Sequence, residues 1–234
     1  MRRFYWFDKR PNYGDLLSRY LLQWLSVPFI HAKDPRQANA FMVGSVALHA
    51  KPGDEVFGSG FIDSSDFMCP TAAYHWVRGP FSRDKVLSVG GKCPDVYGDP
   101  ALLLPRVWPK AEPKHDVGIV PHYVDYEWAV NEFPDYPVIN VREFDCEKTT
   151  RQITECRAIV SSSLHGIIVA HAYGIPAAWV PMSNKLCGDG IKFKDHYASV
   201  GLTAEPSTFE QPIYTSGNYN DSEILRILKC QLTH

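Results

Sequence analysis

Residues 158–176 hold the densest group of side chains that could do chemistry. A short apolar run leads into Ser161, Ser162 and Ser163, and His165 follows at the start of a helical pattern. Serines satisfy the free N–H groups of a first helical turn, and such a turn readily holds an anion. Two interpretations of His165 remain open: it contacts a phosphate or carboxylate and moves a proton, or it only satisfies backbone groups.

Further polar residues follow predicted strands, where α/β folds place their ligands. Each group alone is typical of a turn or a solvated face. Together they have the composition expected of a site for an anionic ligand between two halves of the chain. They are Asn12 and Asp15 before the first helix, Gly58 and Ser59 after a strand, Arg78 where a helix begins, His122 after a later strand, and Lys192 and Lys194 close to an acid and a histidine.

Short apolar runs alternate with amphipathic stretches, a pattern that predicts an α/β fold with parallel sheets. Residues 109–114 are polar and bracketed by prolines, which indicates a linker. We therefore expect an N-terminal α/β domain at 1–108 and a C-terminal α/β domain at 115–234, with a cleft between them. The predicted strands lie at 4–7, 40–44, 55–61, 74–77, 117–120, 138–141, 158–160 and 177–180, and the predicted helices at 13–25, 82–88, 126–133, 147–156, 164–173 and 221–232.

Composition excludes several classes of protein. The 234 residues carry a net charge of −2, which argues against a bulk electrostatic nucleic-acid binder. The chain has neither an apolar run long enough for a membrane helix nor the apolar core of a signal peptide, so we expect a cytoplasmic protein. The six cysteines form no Cys-x-x-Cys pair, which favours reduced, mostly buried thiols over a zinc site or disulfides.

Familiar nucleotide and hydrolase motifs are missing from the sequence. It has no Walker A pattern, no Gly-x-Gly-x-x-Gly after a strand and no Gly-x-Ser-x-Gly elbow. It also lacks the Asp-x-Asp motif of metal-dependent nucleotide-sugar enzymes.

The polar motifs, taken in their order along the chain, resemble the polysaccharide pyruvyltransferase family over roughly residues 4–200. The order of the motifs and the long serine-to-proline block are more specific than any single motif. The matching pieces are Asn-Tyr-Gly-Asp at 12–15, Gly-Ser-Gly at 58–60, Arg-Gly-Pro-Phe-Ser-Arg at 78–83, Gly-Asp-Pro-Ala-Leu-Leu at 98–103, Val-Pro-His-Tyr at 120–123, Ser-Ser-Ser-Leu-His-Gly at 161–166, Ala-Tyr-Gly-Ile-Pro at 172–176 and Lys-Phe-Lys-Asp-His-Tyr at 192–197.

The resemblance implies two Rossmann-like parallel-sheet domains in a GT-B-like arrangement, with the site in the interdomain cleft and the last helix packing back on the N-terminal domain. It implies transfer of pyruvate from phosphoenolpyruvate onto two hydroxyls of a glycan sugar, which forms a ketal and releases phosphate. No metal and no cofactor beyond this donor substrate are implied. The expected acceptor is a glycan or lipid-linked oligosaccharide, which would bring the protein to the inner face of the membrane, and no nucleic acid is expected.

The resemblance also assigns roles to residues. His165 would be the general acid, and Asp15 would be the base, although an acid at this position also suits a helix N-terminus. Many relatives carry arginine before Leu-His where this chain has Ser163, so another cation must hold the donor; Arg78, Arg83, Lys192 and Lys194 are the candidates. The expected donor-binding residues are Arg78, Ser161, Ser162, Ser163, His122, Lys192 and Lys194, and the expected acceptor-binding residues are Asn12, Gly58 and Ser59.

Two other functions remain open. One is a GT-B glycosyltransferase with a nucleotide-sugar donor, in which Glu143 or Asp145 would bind the ribose. The other is a glycan- or phosphate-binding module without activity. Replacing His165 with alanine separates a module from an enzyme, because only an enzyme would lose turnover while its fold stays intact.

Overall fold

The computed structural model describes residues 1–232, and its strands form two sheets. Residues 233 and 234, the end of the predicted C-terminal domain, lie outside the described residues. The strands are β1 (Arg2–Tyr5), β2 (Phe29–Ala32), β3 (Ala40–Phe41), β4 (Glu55–Phe57), β5 (Ala73–Trp76), β6 (His115–Val120), β7 (Cys156–Ser161) and β8 (Ala177–Trp179). The helices are α1 (Tyr13–Trp24), α2 (Pro80–Ser88), α3 (Tyr126–Glu132), α4 (Cys146–Thr154), α5 (Leu164–Ala172), α6 (Ile191–Ser199) and α7 (Asp221–Leu232).

Every pair of neighbouring strands in the two sheets is parallel. The first sheet has the order β2-β1-β3-β4-β5 and the second the order β6-β7-β8. Helices connect most of the strands, as parallel pairing requires. The predicted α/β class with parallel sheets is therefore confirmed, and the sheets are consistent with Rossmann-like units.

One hydrophobic core runs from the first sheet to the second. It includes Phe4 and Leu17 from the first half and Ile159 and Ile167 from the second. Helix α5 is buried along its whole length, which fits its almost entirely apolar sequence. Its end is fixed by Tyr173, whose hydroxyl donates to the backbone oxygens of Leu104 (3.0 Å) and Trp108 (2.9 Å).

Helix α1 also joins the two halves. The backbone N–H of Tyr13 donates to the Val141 oxygen at 2.8 Å, and the Tyr13 hydroxyl lies 2.7 Å from Thr150 Oγ1 on α4. The start of α1 is thereby fixed against the second half of the chain. Its apolar face packs into the hydrophobic core that the two halves share.

The last helix, α7, packs against a 3₁₀ turn of the first half, Pro100–Arg106. Arg106 and Asp221 form a two-bond ion pair there, and Ile224 lies next to Gly98. Among the described residues, none of the helices is both long enough and apolar enough to pass through a bilayer.

Three elements differ from the sequence prediction. The expected strand at 138–141 is only a single bridge between Ile119 and Val138, because Asn140 accepts the Arg142 N–H in a turn that ends the extended run. Strand β2 was not predicted. Helix α6 is not predicted from its charged sequence, yet it forms and buries Phe193, Asp195 and Tyr197.

Candidate active site

A cavity of about 260 Å³ opens where strands of both sheets end. Parallel strands present their carboxyl ends at one edge of a sheet, and ligands of α/β folds bind there. Residues that follow β1, β3, β4, β6 and β7 all reach this cavity. Its lining consists of Tyr5, Phe7, Asn12, Asp15, Ser45, Val46, His49, Ile62, His122, Tyr123, Ser163, Leu164, His165, Lys185, Cys187 and Lys192.

The turn from β7 into α5 brings the helix N-terminus to the cavity. The Ser161 hydroxyl donates to the Val120 oxygen at 2.7 Å and accepts the Ser163 N–H at 3.0 Å, which shapes the turn. Ser162 Oγ accepts the N–H of His122 at 2.8 Å. Of the three predicted serines, only Ser163 lines the cavity, and Ser161 and Ser162 hold the backbone behind it.

His165, in the first turn of α5, reaches across to the first half. An ideal β-carbon on Gly14 would lie 1.9 Å from His165 Nδ1, so the ring occupies space that only glycine leaves free. His165 Nε2 is enclosed, has no hydrogen-bond partner among the described residues and lies 3.7 Å from Asp99 Oδ2. Nε2 therefore satisfies no backbone group in the described part of the chain.

Asp15 lies on the same side of the cavity and accepts a 2.7 Å hydrogen bond from Asn12. A β-carbon on Gly44, which has φ of +89°, would be 3.5 Å from both Asp15 Oδ1 and His165 Cε1. Burial raises the pKa of Asp15 to about 6, although His165 and Lys192 act in the opposite direction. A carboxylate with this pKa changes protonation near neutral pH, as a general base must.

His122 and Lys192 also line the cavity. Burial, with a smaller contribution from Lys192, lowers the pKa of His122 to about 4, so this imidazole is neutral at pH 7. Burial and the nearby Arg78 also lower the pKa of Lys192, whose Nζ donates to the Cys187 oxygen at 3.1 Å. Lys194 is two residues further along α6 and so lies on a different face of the helix. It is exposed and does not line the cavity.

Arg78 is fully buried behind the cavity rather than in its wall. Its guanidinium donates to Asp195 Oδ2 (2.9 Å), Ser45 Oγ (2.5 Å) and the Phe61 oxygen (2.8 Å). Asp195 also accepts from Ser82. The arginine thus ties α6, which carries Lys192, to the end of β5 and the start of α2.

Gly58 and Ser59 support the site from behind as well. Ser59 Oγ donates to the Gly44 oxygen at 2.9 Å and accepts the Val46 N–H at 3.0 Å. A β-carbon on Gly58 would lie 2.5 Å from Trp76 Nε1. Of the predicted acceptor residues, only Asn12 lines the cavity.

Several residues of the site were not singled out from the sequence. Asp99 belongs to the matching motif at 98–103, but it is not among the predicted site residues, because a carboxylate before proline is typical of a turn. The remaining lining residues have no distinguishing pattern in the sequence. These residues are Tyr5, Phe7, Ser45, Val46, His49, Ile62, Lys185 and Cys187.

Comparison with known proteins gives three similarities. An uncharacterized protein of Acanthamoeba polyphaga mimivirus is 31% identical over 212 residues, which cover 85% of this chain and 74% of that protein. The succinoglycan biosynthesis protein ExoV of Rhizobium meliloti is 25% identical over 225 residues, 88% of this chain and 67% of that protein. A crystal structure of a functionally uncharacterized Klebsiella pneumoniae protein aligns with a TM-score of 0.48 and 14% identity, over 84% of this chain and 87% of that one.

The sequence profile of the polysaccharide pyruvyl transferase family matches residues 12–184. This span begins with Asn12 and ends beyond β8, so it includes both Asp15 and His165. It also covers well over half of the chain. The chain belongs to the polysaccharide pyruvyl transferase family.

Proposed function

We propose that this chain transfers pyruvate from phosphoenolpyruvate onto two hydroxyls of a glycan sugar, forming a ketal and releasing phosphate. Family membership supports pyruvyl transfer in polysaccharide biosynthesis. The observation that carries the finer proposal is the placement of His165 at the N-terminus of α5, with Asp15 and Lys192 lining the same cavity.

The donor is an anion with a phosphate and a carboxylate. The N-terminus of α5 offers free N–H groups and the positive end of a helix dipole. Lys192 supplies the fixed charge that many relatives take from an arginine at the position of Ser163, and the neutral His122 offers a hydrogen bond. We assign donor binding to Ser163, Lys192 and His122, and we assign Arg78 to holding α6 in place.

The chemistry divides between His165 and Asp15. His165 delivers a proton to the methylene carbon of the donor while a sugar hydroxyl attacks C2 and passes its proton to Asp15. The second hydroxyl then forms the second C–O bond to C2 as the C–O bond to phosphate breaks. The proton that Asp15 takes from the first hydroxyl offsets the proton that His165 gives to the new methyl group. The proton of the second hydroxyl leaves with the phosphate.

We further propose that the two sheets form a GT-B-like pair of domains, 1–108 and 115–234, with the cavity as their cleft. The lining of the cavity by both halves supports this arrangement. Asn12 and the aromatic residues after β1 would face the acceptor. A glycan or lipid-linked oligosaccharide acceptor would be met in the cytoplasm at the inner face of the membrane, and the relative named for succinoglycan biosynthesis is consistent with such an acceptor.

Calorimetric titration with phosphoenolpyruvate tests donor identity without knowledge of the acceptor. We expect binding to the wild type, binding at least 10-fold weaker in Lys192→Met, and little change in Lys194→Met, a matched control on the same helix. A panel of nucleotide sugars should give no heat. Binding of a nucleotide sugar alone would replace this proposal with a glycosyltransferase.

Turnover in D₂O tests the reaction itself. Phosphate release should require a glycan acceptor, and the product ketal should carry one deuterium in its methyl group, because the donor methylene gains one solvent proton. His165→Gln should lose at least ~100-fold in turnover, whereas His115→Gln, an exposed histidine at the start of β6, should not. If the wild type and His165→Gln both bind the donor and both fail to turn over any glycan acceptor tested, that result would indicate a binding module.

A further inference from the structure

Asp99 is a fully buried carboxylate in the turn after Gly98. Its Oδ1 accepts the Ala101 N–H at 2.9 Å, which begins the 3₁₀ turn, and its Oδ2 accepts the Gly44 N–H at 3.0 Å. Burial of a carboxylate is unfavourable unless hydrogen bonds replace its water. A carboxylate accepts up to four hydrogen bonds, so two donors leave capacity for another.

His165 Nε2 is the donor placed to use that capacity. It lies 3.7 Å from Asp99 Oδ2, is enclosed, and has no hydrogen-bond partner in the described part of the chain. This separation is longer than a hydrogen bond. Catalytic hydrogen bonds are often long before substrate binds, and they shorten in the productive complex.

We propose that Asp99 is a positioning residue for His165: it holds the ring with its Nε2–H toward the carboxylate and leaves Nδ1 to exchange a proton with the substrate. The assignment of Nδ1 to the reaction rests on the proposed function. The pairing of Asp99 with Nε2 rests on the geometry alone. Because Nε2 is enclosed, Nδ1 is the ring nitrogen that remains for a ligand in the cavity.

The pairing gives the imidazole two properties that a general acid needs. A carboxylate on one ring nitrogen selects a single tautomer, and it stabilises the imidazolium that must form before a proton is delivered. Asp15, on α1, adds a second negative charge nearby. The other titratable groups around the ring are Lys192 on α6 and His122 after β6, which line the same cavity, and His196 on α6, which interacts electrostatically with His165.

Nitrogen NMR of the ligand-free protein, with ¹⁵N-labelled histidine, tests the pairing. The His165 resonances are assigned by their loss in His165→Gln. In the wild type at high pH we expect the Nε2–H tautomer. In Asp99→Asn we expect the Nε2–H proton resonance of His165 to move upfield, because a neutral amide oxygen is a weaker acceptor than a carboxylate.

An Nδ1–H tautomer in the wild type would overturn the proposal. This measurement uses the wild-type protein, so it does not depend on the folding of a variant. An unchanged Nε2–H resonance in a folded Asp99→Asn would also overturn it, since a residue that only caps the 3₁₀ turn would lower stability and leave the ring resonance alone. Neither measurement uses phosphoenolpyruvate, so they are independent of the reaction proposed above. If that reaction holds, Asp99→Asn should lower kcat by ~100-fold or more with little change in the KM for the donor.

Discussion

The imidazole of His165 occupies the position where a side chain on Gly14 would begin. An ideal β-carbon at Gly14 would lie 1.9 Å from Nδ1 and 2.3 Å from Cγ of that ring. The two residues belong to helices in different halves of the chain. The proposed acid therefore has its place only when α1 and α5 are packed together.

Gly14→Ala should abolish activity without unfolding the protein. Alanine is favoured over glycine inside a helix by ~1 kcal/mol, which offsets part of the cost of displacing the ring. We expect turnover to fall at least 100-fold, with a thermal midpoint within a few degrees of the wild type. Arg19→Ala, an exposed position of the same helix, is the control and should keep full turnover. Normal turnover in Gly14→Ala would show that the ring can leave this position at no cost.

Asp15→Asn should separate stability from activity. The pKa of Asp15 is raised to about 6, so the folded state holds its proton more tightly than the unfolded chain does. The stability that this proton provides is complete below the ordinary pKa of aspartate and is lost as pH rises through 6. Because Asp15 still touches the cavity, water screens part of the effect.

We therefore expect Asp15→Asn to raise the free energy of unfolding by about 1–3 kcal/mol at pH 8, with the gain fading as pH falls toward 4. Wild-type turnover should rise with pH through about 6 as the base ionises, and the variant should lack turnover throughout. Urea unfolding at several pH values measures the first effect. Asp135→Asn, at an exposed position, is the control. A gain of equal size at pH 4 and pH 8 would contradict the assigned cause.

Arg78→Met should destabilise the fold, because it leaves the carboxylate of Asp195 buried and unpaired. Removal of one partner of a buried ion pair costs about 3–5 kcal/mol, whereas an apolar replacement of both can be nearly neutral. We expect the double variant Arg78→Met/Asp195→Leu to recover much of the loss in urea unfolding. The half-exposed pair of Arg106 with Asp221 is the comparison, and Arg106→Met should cost about 1 kcal/mol or less. Equal costs for the two single arginine variants would refute the structural role of Arg78.

Cys187 should report occupancy of the cavity. It is exposed and lines the cavity beside Lys192, while Cys230 is exposed on α7. Phosphoenolpyruvate should slow the labelling of Cys187 by a maleimide and leave Cys230 unchanged, as peptide mass spectrometry would show. Equal protection of both thiols would indicate a global change instead of donor binding in this cavity.

Much of the fold follows from sequence periodicity. Helix α5 was predicted almost to the residue, because an apolar run between serines and Gly174 has clear ends. Helix α6 was missed because its buried face includes Asp195 and His196, which a hydrophobic pattern does not count. Such buried polar residues have partners that are distant in sequence, here Arg78 and His171.

The candidate site was predicted less completely, for a related reason. The sequence indicates which residues follow a strand, but the direction of each side chain depends on packing. Asp15, His165 and Lys192 point into the cavity, whereas Arg78 and Ser161 point into the protein. Asp99 lies in a matching motif, but the sequence does not show that it comes close to a histidine 66 positions later.

The buried contact between Arg78 and Asp195 also limits how members of this family can be recombined. A chimera that joined residues 1–108 of this chain to the second half of a relative would need an acid at position 195 to meet the guanidinium. Without an acid at position 195, the hybrid would bury the Arg78 guanidinium with no opposite charge beside it. Productive exchange of the second half of this chain therefore requires that the incoming half supply an acid at position 195.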